Sequence, residues 1–177
     1  MTSARLLLWC GTVSLVWALW GGCAGTPSAT RDAEVTGWVE PAKILGPEFP
    51  SFRERYDTVQ VNTDITGMIA QMHPDVDLLV FFGAWCGDSR REVPRLVKVL
   101  QLAGVPESRV RYYGLDRTKK SADGLTDAHA IERVPTIIVL RGEQELGRVV
   151  ELPRSTLEGD LFEILVADLK GTAQPGR

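Results

Sequence analysis

The chain has 177 residues, 44 % of them hydrophobic and 24 % charged, which is enough apolar material for one packed domain and too much for a disordered chain. Its 20 basic and 23 acidic residues give a net charge of −3, a mildly acidic surface that leaves no footprint for nucleic acid. No internal repeat is visible.

Arg5 opens a short positive start, and Leu6 to Trp20 follow as an apolar run of 15 residues. Gly21, Gly22, Cys23, Ala24 and Gly25 come next. This is the pattern of a secretory signal peptide over residues 1–22, too short for a comfortable membrane span. Leu19-Trp20-Gly21-Gly22-Cys23 resembles a bacterial lipoprotein box, apart from Trp20 where a leucine is usual. The resemblance implies lipid attachment at Cys23 and a domain anchored to a membrane without crossing it. Ordinary cleavage just after Ala24 is the alternative, and it would discard Cys23. Cys10 is lost with the leader, so with Cys23 lipidated Cys86 is the one free thiol of the mature chain. The chain then divides into a flexible tether at 23–36, a domain with an N-terminal extension at 37–171, and a disordered tail at 172–177.

Gly37 to Pro50 holds Trp38, Ile44, Leu45 and Phe49 among three prolines and reads as an irregular segment packing its apolar residues inward. A short helix is expected around Phe52 to Tyr56. Asn62-Thr63-Asp64 offers helix N-caps. Ile65, Met68, Ile69 and Met72 then form one apolar helix face, stopped by His73-Pro74-Asp75. Leu78 to Phe82 reads as the central strand, apolar on both sides. Beyond Cys86, a helix carries Val93, Leu96, Val97 and Leu100, with Pro94 inside it and Gly104 at its end. Arg109 to Leu115 reads as a second strand, Asp116 to Asp123 as a loop and Leu125 to Ile131 as a short helix. Ile137 to Leu140 forms a third strand after Arg133-Val134-Pro135-Thr136. Arg141 to Gln144 turns it back into Leu146 to Glu151. Ser155 and Glu158 have the spacing of a capping box before a last helix with Leu157, Leu161, Ile164, Leu165 and Leu169 on its apolar face. This order predicts an α/β fold, a mixed sheet with helices on both faces.

Cys86 sits where the central strand turns into a helix. There it meets unpaired N–H groups and the positive helix end, which favour a thiolate. Ser89, one turn on, is placed to donate to the sulfur; Arg90 and Arg91 add positive charge, and Asp88 opposes them. Cys86 and Ser89 are therefore the candidate catalytic residues.

Trp85-Cys86-Gly87, with Pro94 eight residues after Cys86 and Val134-Pro135-Thr136 beginning 48 after it, resembles the thioredoxin superfamily from about Ile65 to Leu169. A nearer similarity is to exported bacterial thioredoxin-like proteins with a single-cysteine Trp-Cys-Gly-Asp-Ser motif. The resemblance implies a thioredoxin-like fold and a cis peptide at Pro135 facing the cysteine. It also implies a substrate-binding surface of Trp85, Gly87, Val134 and Pro135, with the Val134 backbone free to pair with an extended substrate. Three departures argue against dithiol reduction. Ser89 replaces the resolving cysteine, Val80 stands where many thioredoxins bury an aspartate, and Asp88 replaces a proline. Gly83 stands where a peroxidase needs threonine.

Cys86 can attack a disulfide, and Ser89 cannot release the product. The expected function is monothiol exchange with an external resolving thiol. The partners are protein or small-molecule thiols and disulfides, the place is the cell envelope or periplasm, and the chain is a monomer. No cofactor is called for. His73 and His129 lack metal-ligand spacing, so no metal site is expected. The competing reading is a non-catalytic, membrane-anchored binding module for an envelope partner.

Overall fold

The computed structural model describes residues 31–72 and 75–171. Its centre is β2 (Asp77–Phe82), five of whose six residues are buried, as a strand covered on both sides requires. Around it stand β1 (Gly37–Val39), β3 (Val110–Gly114), β4 (Thr136–Arg141) and β5 (Gln144–Val150), in the order β1-β3-β2-β4-β5. β2 and β3 run parallel, with Val80 opposite Tyr112; the other three pairings are antiparallel. The sheet is mixed, as the element order predicted.

The alternation of β2 feeds two cores. Leu78, Val80 and Phe82 face one side, with Val93 and Leu96 of α3 (Gly87–Leu102) and Leu157, Leu161 and Leu165 of α5 (Leu157–Leu169). Phe52 of α1 (Pro50–Thr58) and Ile69 of α2 (Thr63–Ala70) complete that layer. Phe82 meets Phe49 and Phe52 with ring centroids 5.9 and 5.8 Å away. Each such ring, fully buried, contributes about 1.5–3 kcal/mol. Leu79 and Phe81 face the other side, with Tyr113, Ile131, Val134, Ile138 and Leu125 of α4 (Leu125–Ala128). This is an α/β thioredoxin-like arrangement with helices on both faces of the sheet. Among the described residues no helix is long and apolar enough to cross a membrane.

Polar contacts lock the helices together. Lys98 of α3 donates to the carbonyls of Tyr56 and Val59, closing the C-terminal end of α1. Asn62 caps α2 by accepting the N–H groups of Asp64 and Ile65, and its own N–H donates to Glu158.

Several expectations are corrected. Gly37–Pro50 is not wholly irregular: Gly37–Val39 forms β1 and pairs with β3. Trp38 does not pack inward. It is 55 % exposed, edge-on to Tyr113 with the Arg111 guanidinium over its ring, because β1 is the edge strand of the sheet. Ser155 and Glu158 form no capping box. Thr156 is the N-cap, accepting the Gly159 N–H, and Glu158 is buried against Arg95. Met68 and Leu169, placed on apolar faces, are exposed. The proposed helix stop at His73-Pro74, the leader, Cys23, most of the tether and the tail lie outside the described residues. The tether's final residues, 31–36, lie on the domain: Asp32 is buried and accepts both the N–H and the hydroxyl of Ser51.

Candidate active site

Cys86 is the N-cap residue of α3, half-buried, with backbone φ −87° and ψ 128°. Its N–H donates to the Gly83 carbonyl and its carbonyl accepts the Arg90 N–H, so the strand-to-helix turn is closed on both sides of the sulfur. The sulfur itself makes no capping bond to the helix N–H groups. It donates instead to the Val134 carbonyl at 3.2 Å. The Val134-Pro135 peptide is cis. The fold thus brings Cys86, Val134 and Pro135 together across almost 50 residues of chain.

Ser89 does not reach the sulfur. It is fully buried, and its hydroxyl oxygen accepts the Gly83 N–H at 3.2 Å. The one-turn spacing is right, but α3 turns position 89 inward under the loop, where a backbone donor waits. Arg90 and Arg91 do not turn free charge on the sulfur either. Arg90 Nε lies between the Ala84 carbonyl at 2.8 Å and Asp32 at 2.9 Å. Arg91 pairs with Asp88 at 2.7 Å and with Glu92 at 2.8 Å. The hydrogen bond that Arg91 donates to Glu92, against the opposing effect of burial and aided by Asp88, holds the Arg91 guanidinium above its ordinary pKa. The Asp88 carboxylate is thereby compensated beside Cys86.

Trp85 is placed by three neighbours. Its Nε1–H donates to the Leu115 carbonyl at 2.8 Å. The Arg117 guanidinium lies 5.0 Å from its ring centroid. The indole folds back over Gly83, where a Cβ would come within 2.7 Å of the ring. Gly83 is therefore a glycine for room, and Trp85 packs against the second core layer, away from α1. Next to Cys86, a Cβ on Gly87 would meet nothing within 4 Å, so the surface there is open. Pro94 lies buried inside α3, and Val80 is wholly buried beneath the site. Arg117 over Trp85 and the Asp32–Arg90 pair leave no signal in the sequence, because nothing local links residues so far apart in the chain.

A sequence profile for the family described as Thioredoxin matches residues 50–161. The chain belongs to the thioredoxin family. The general chemistry of that family is thiol–disulfide exchange, and the matched span covers β2, Cys86, cis-Pro135 and the start of α5. Among solved structures, a protein of unknown function from Pseudomonas aeruginosa is 20 % identical, with a TM-score of 0.50 over 78 % of this chain and 92 % of that one. Thioredoxin f2 from Chlamydomonas reinhardtii is 20 % identical over 66 % of this chain and 98 % of that one, with a TM-score of 0.35. Mitochondrial thioredoxin 3 from Saccharomyces cerevisiae is 18 % identical over 67 % of this chain and 96 % of that one, with a TM-score of 0.34. At 20 % identity the likeness to the Pseudomonas aeruginosa protein is one of fold. No curated protein matches the chain.

Proposed function

We propose that this thioredoxin domain performs monothiol exchange. Cys86 takes one half of a disulfide into a mixed disulfide, and an external thiol resolves it. The observation that carries the reading is the division of labour between positions 86 and 89. Cys86 is half-exposed on Val134, whereas Ser89 is buried on Gly83, and Cys86 is the one cysteine among the described residues.

The site supports a sequence of events. The Cys86 sulfur, as thiolate, attacks a substrate sulfur; the new S–S bond forms as the old one breaks, and the departing half leaves as a thiolate. As thiolate and then as mixed disulfide Cys86 has no S–H to donate, so the Val134 carbonyl is free as an acceptor. The Val134 N–H has no hydrogen-bond partner among the described residues. Together they present both backbone groups of one residue to an extended polypeptide joined to Cys86, the pairing used by an added strand. Trp85 and Pro135 wall that line, and Gly87 leaves its far side open.

The same proposal places the protein outside the cytoplasm, in the cell envelope or periplasm, held by a lipid on Cys23 and acting as a monomer on thiols and disulfides. Its support is the leader pattern of residues 1–22 and the small residues before Cys23.

The reading is tested by incubating the full chain with hydroxyethyl disulfide and following the Cys86-containing peptide by mass spectrometry. One mixed-disulfide adduct on the wild type, absent from Cys86→Ser, supports it. No adduct at neutral pH, with partner capture unchanged in Cys86→Ala, would establish the binding module instead.

A further inference from the structure

Resting on that reading, we infer that the groove between α1 and the start of α3 holds a carboxylate of the thiol joined to Cys86. The preferred substrates are then disulfides of carboxylate-bearing thiols. The groove is formed by Ser51, Arg55 and Thr58 of α1 and by Gly87, Arg90 and Arg91 of α3, with Glu54 the lone carboxylate on its wall. It begins at Gly87, the residue after Cys86, where the surface is open.

Arg55 is the decisive residue. Its Nε is buried without a hydrogen-bond partner, and the buried Oε2 of Glu92 on α3 lacks one too. A buried guanidinium donor without an acceptor is rare, because its lost hydration is not replaced. Arg90 and Arg91 are different. Each is anchored through Nε, to Asp32 and to Glu92, and Arg91 also gives Nη2 to Asp88, so each fork is held in place with at least one terminal nitrogen left over. Asp32 and Glu92 are themselves buried, so those carboxylates face inward. The groove therefore offers one guanidinium with an unpartnered Nε and two pre-positioned ones, the geometry that suits a planar carboxylate.

Position adds a reason for this groove and not another. α1 packs in the first core layer with Val93, whereas Val134 belongs to the second. An acidic thiol lying toward Arg55 and a polypeptide lying on Val134 would occupy opposite sides of Cys86. In the step itself, the Cys86 thiolate attacks the sulfur of the acidic half, the Sγ–S bond forms, and the substrate S–S bond breaks. The other half departs as a thiolate and takes a proton from water. No net oxidation occurs.

The test compares adduct formation at Cys86, on the full chain, with three symmetrical disulfides. These are dithiodipropionate, hydroxyethyl disulfide and cystamine, which are anionic, neutral and cationic. Rates are divided by those of a free reference thiol to remove intrinsic reactivity. The inference predicts a normalised preference for dithiodipropionate over cystamine of about tenfold or more, compressed by 0.5 M salt as screening demands. Arg55→Gln lowers the anionic-to-neutral ratio several-fold, and Arg55→Glu reverses the order. Reaction with hydroxyethyl disulfide certifies that each variant is folded. Equal normalised rates for all three reagents on the wild type would overturn the groove assignment and leave monothiol exchange standing. No reaction with any reagent would overturn both.

Discussion

The Ser89 hydroxyl accepts the N–H of Gly83 at 3.2 Å, and this bond turns the residue away from Cys86. Position 89 thus serves the turn that carries the sulfur. Replacing Ser89 by Ala leaves the Gly83 N–H buried without an acceptor, which costs about 1–3 kcal/mol. Urea denaturation of Ser89→Ala is expected to show a lower midpoint with an unchanged slope. The chemistry of Cys86 toward a neutral disulfide should survive. Ser89→Cys, in contrast, supplies an internal resolving thiol. Its Cys86 adducts should clear without added thiol, leaving a disulfide between Cys86 and the introduced cysteine that is detectable by peptide mass.

Gly83 and Trp85 make a second prediction. A Cβ at position 83 lies 2.7 Å from Cε2 and Nε1 of the indole, so Gly83→Ala must displace the ring. Displacement breaks the Nε1–H bond to Leu115 and moves the indole off Arg117. Overpacking of this kind costs about 1–3 kcal/mol. Thermal unfolding should show the loss, and Trp85→Phe, which removes the hydrogen bond without the clash, should lose less.

Arg95 and Glu158 form a bidentate pair in the interior, joined by the Asn62 N–H. Burial alone would raise the Glu158 pKa, but the bonds from Arg95 and Asn62 outweigh it and hold the carboxyl below its ordinary value. A carboxyl with a depressed folded pKa contributes its full stability above the unfolded value, about 4.3. That contribution drains away as pH falls through the folded value. Wild-type stability is therefore expected to fall below about pH 4.3 more steeply than that of Glu158→Gln. At pH 7, Arg95→Met strands a buried carboxylate and should cost about 3–5 kcal/mol.

His129 titrates in the opposite chemical sense with the same direction of effect. Burial first, then the charges of Arg148 and Arg111 against that of Glu145, push its pKa below 6.5. Its ring lies 5.8 Å from that of Phe81. The neutral imidazole's contribution is complete above the unfolded pKa and is lost as pH falls through the folded one. Between pH 7 and pH 5, wild-type stability should decline, and His129→Gln should flatten that part of the profile.

Much of this architecture is written locally. β2 is legible as an unbroken apolar run, α3 and α5 as stripes at helical spacing, and the cis-Pro135 contact as a Val-Pro-Thr element before a strand. β1 is not legible, because three residues cannot display a period and Trp38 looks like core until its place on the edge strand is known. The N-cap of α5 shifts by one residue from Ser155 to Thr156, since Glu158 is claimed by Arg95 from a distant helix. The same limit hid the direction of Ser89. Helical spacing places it one turn from Cys86, but only the Gly83 N–H decides which way the hydroxyl turns. Arg55 carried no local signal at all, because its meaning lies in the partner it lacks.

The central claim is that Cys86 forms a mixed disulfide that the protein cannot resolve by itself. Its most direct test loads the full chain with hydroxyethyl disulfide, removes the excess reagent, and follows the Cys86 peptide with and without added mercaptoethanol. The account predicts an adduct that persists for hours without thiol and clears within minutes when thiol is supplied. An adduct that disappears at the same rate in both samples, or a Cys86 that never acquires one, would contradict it.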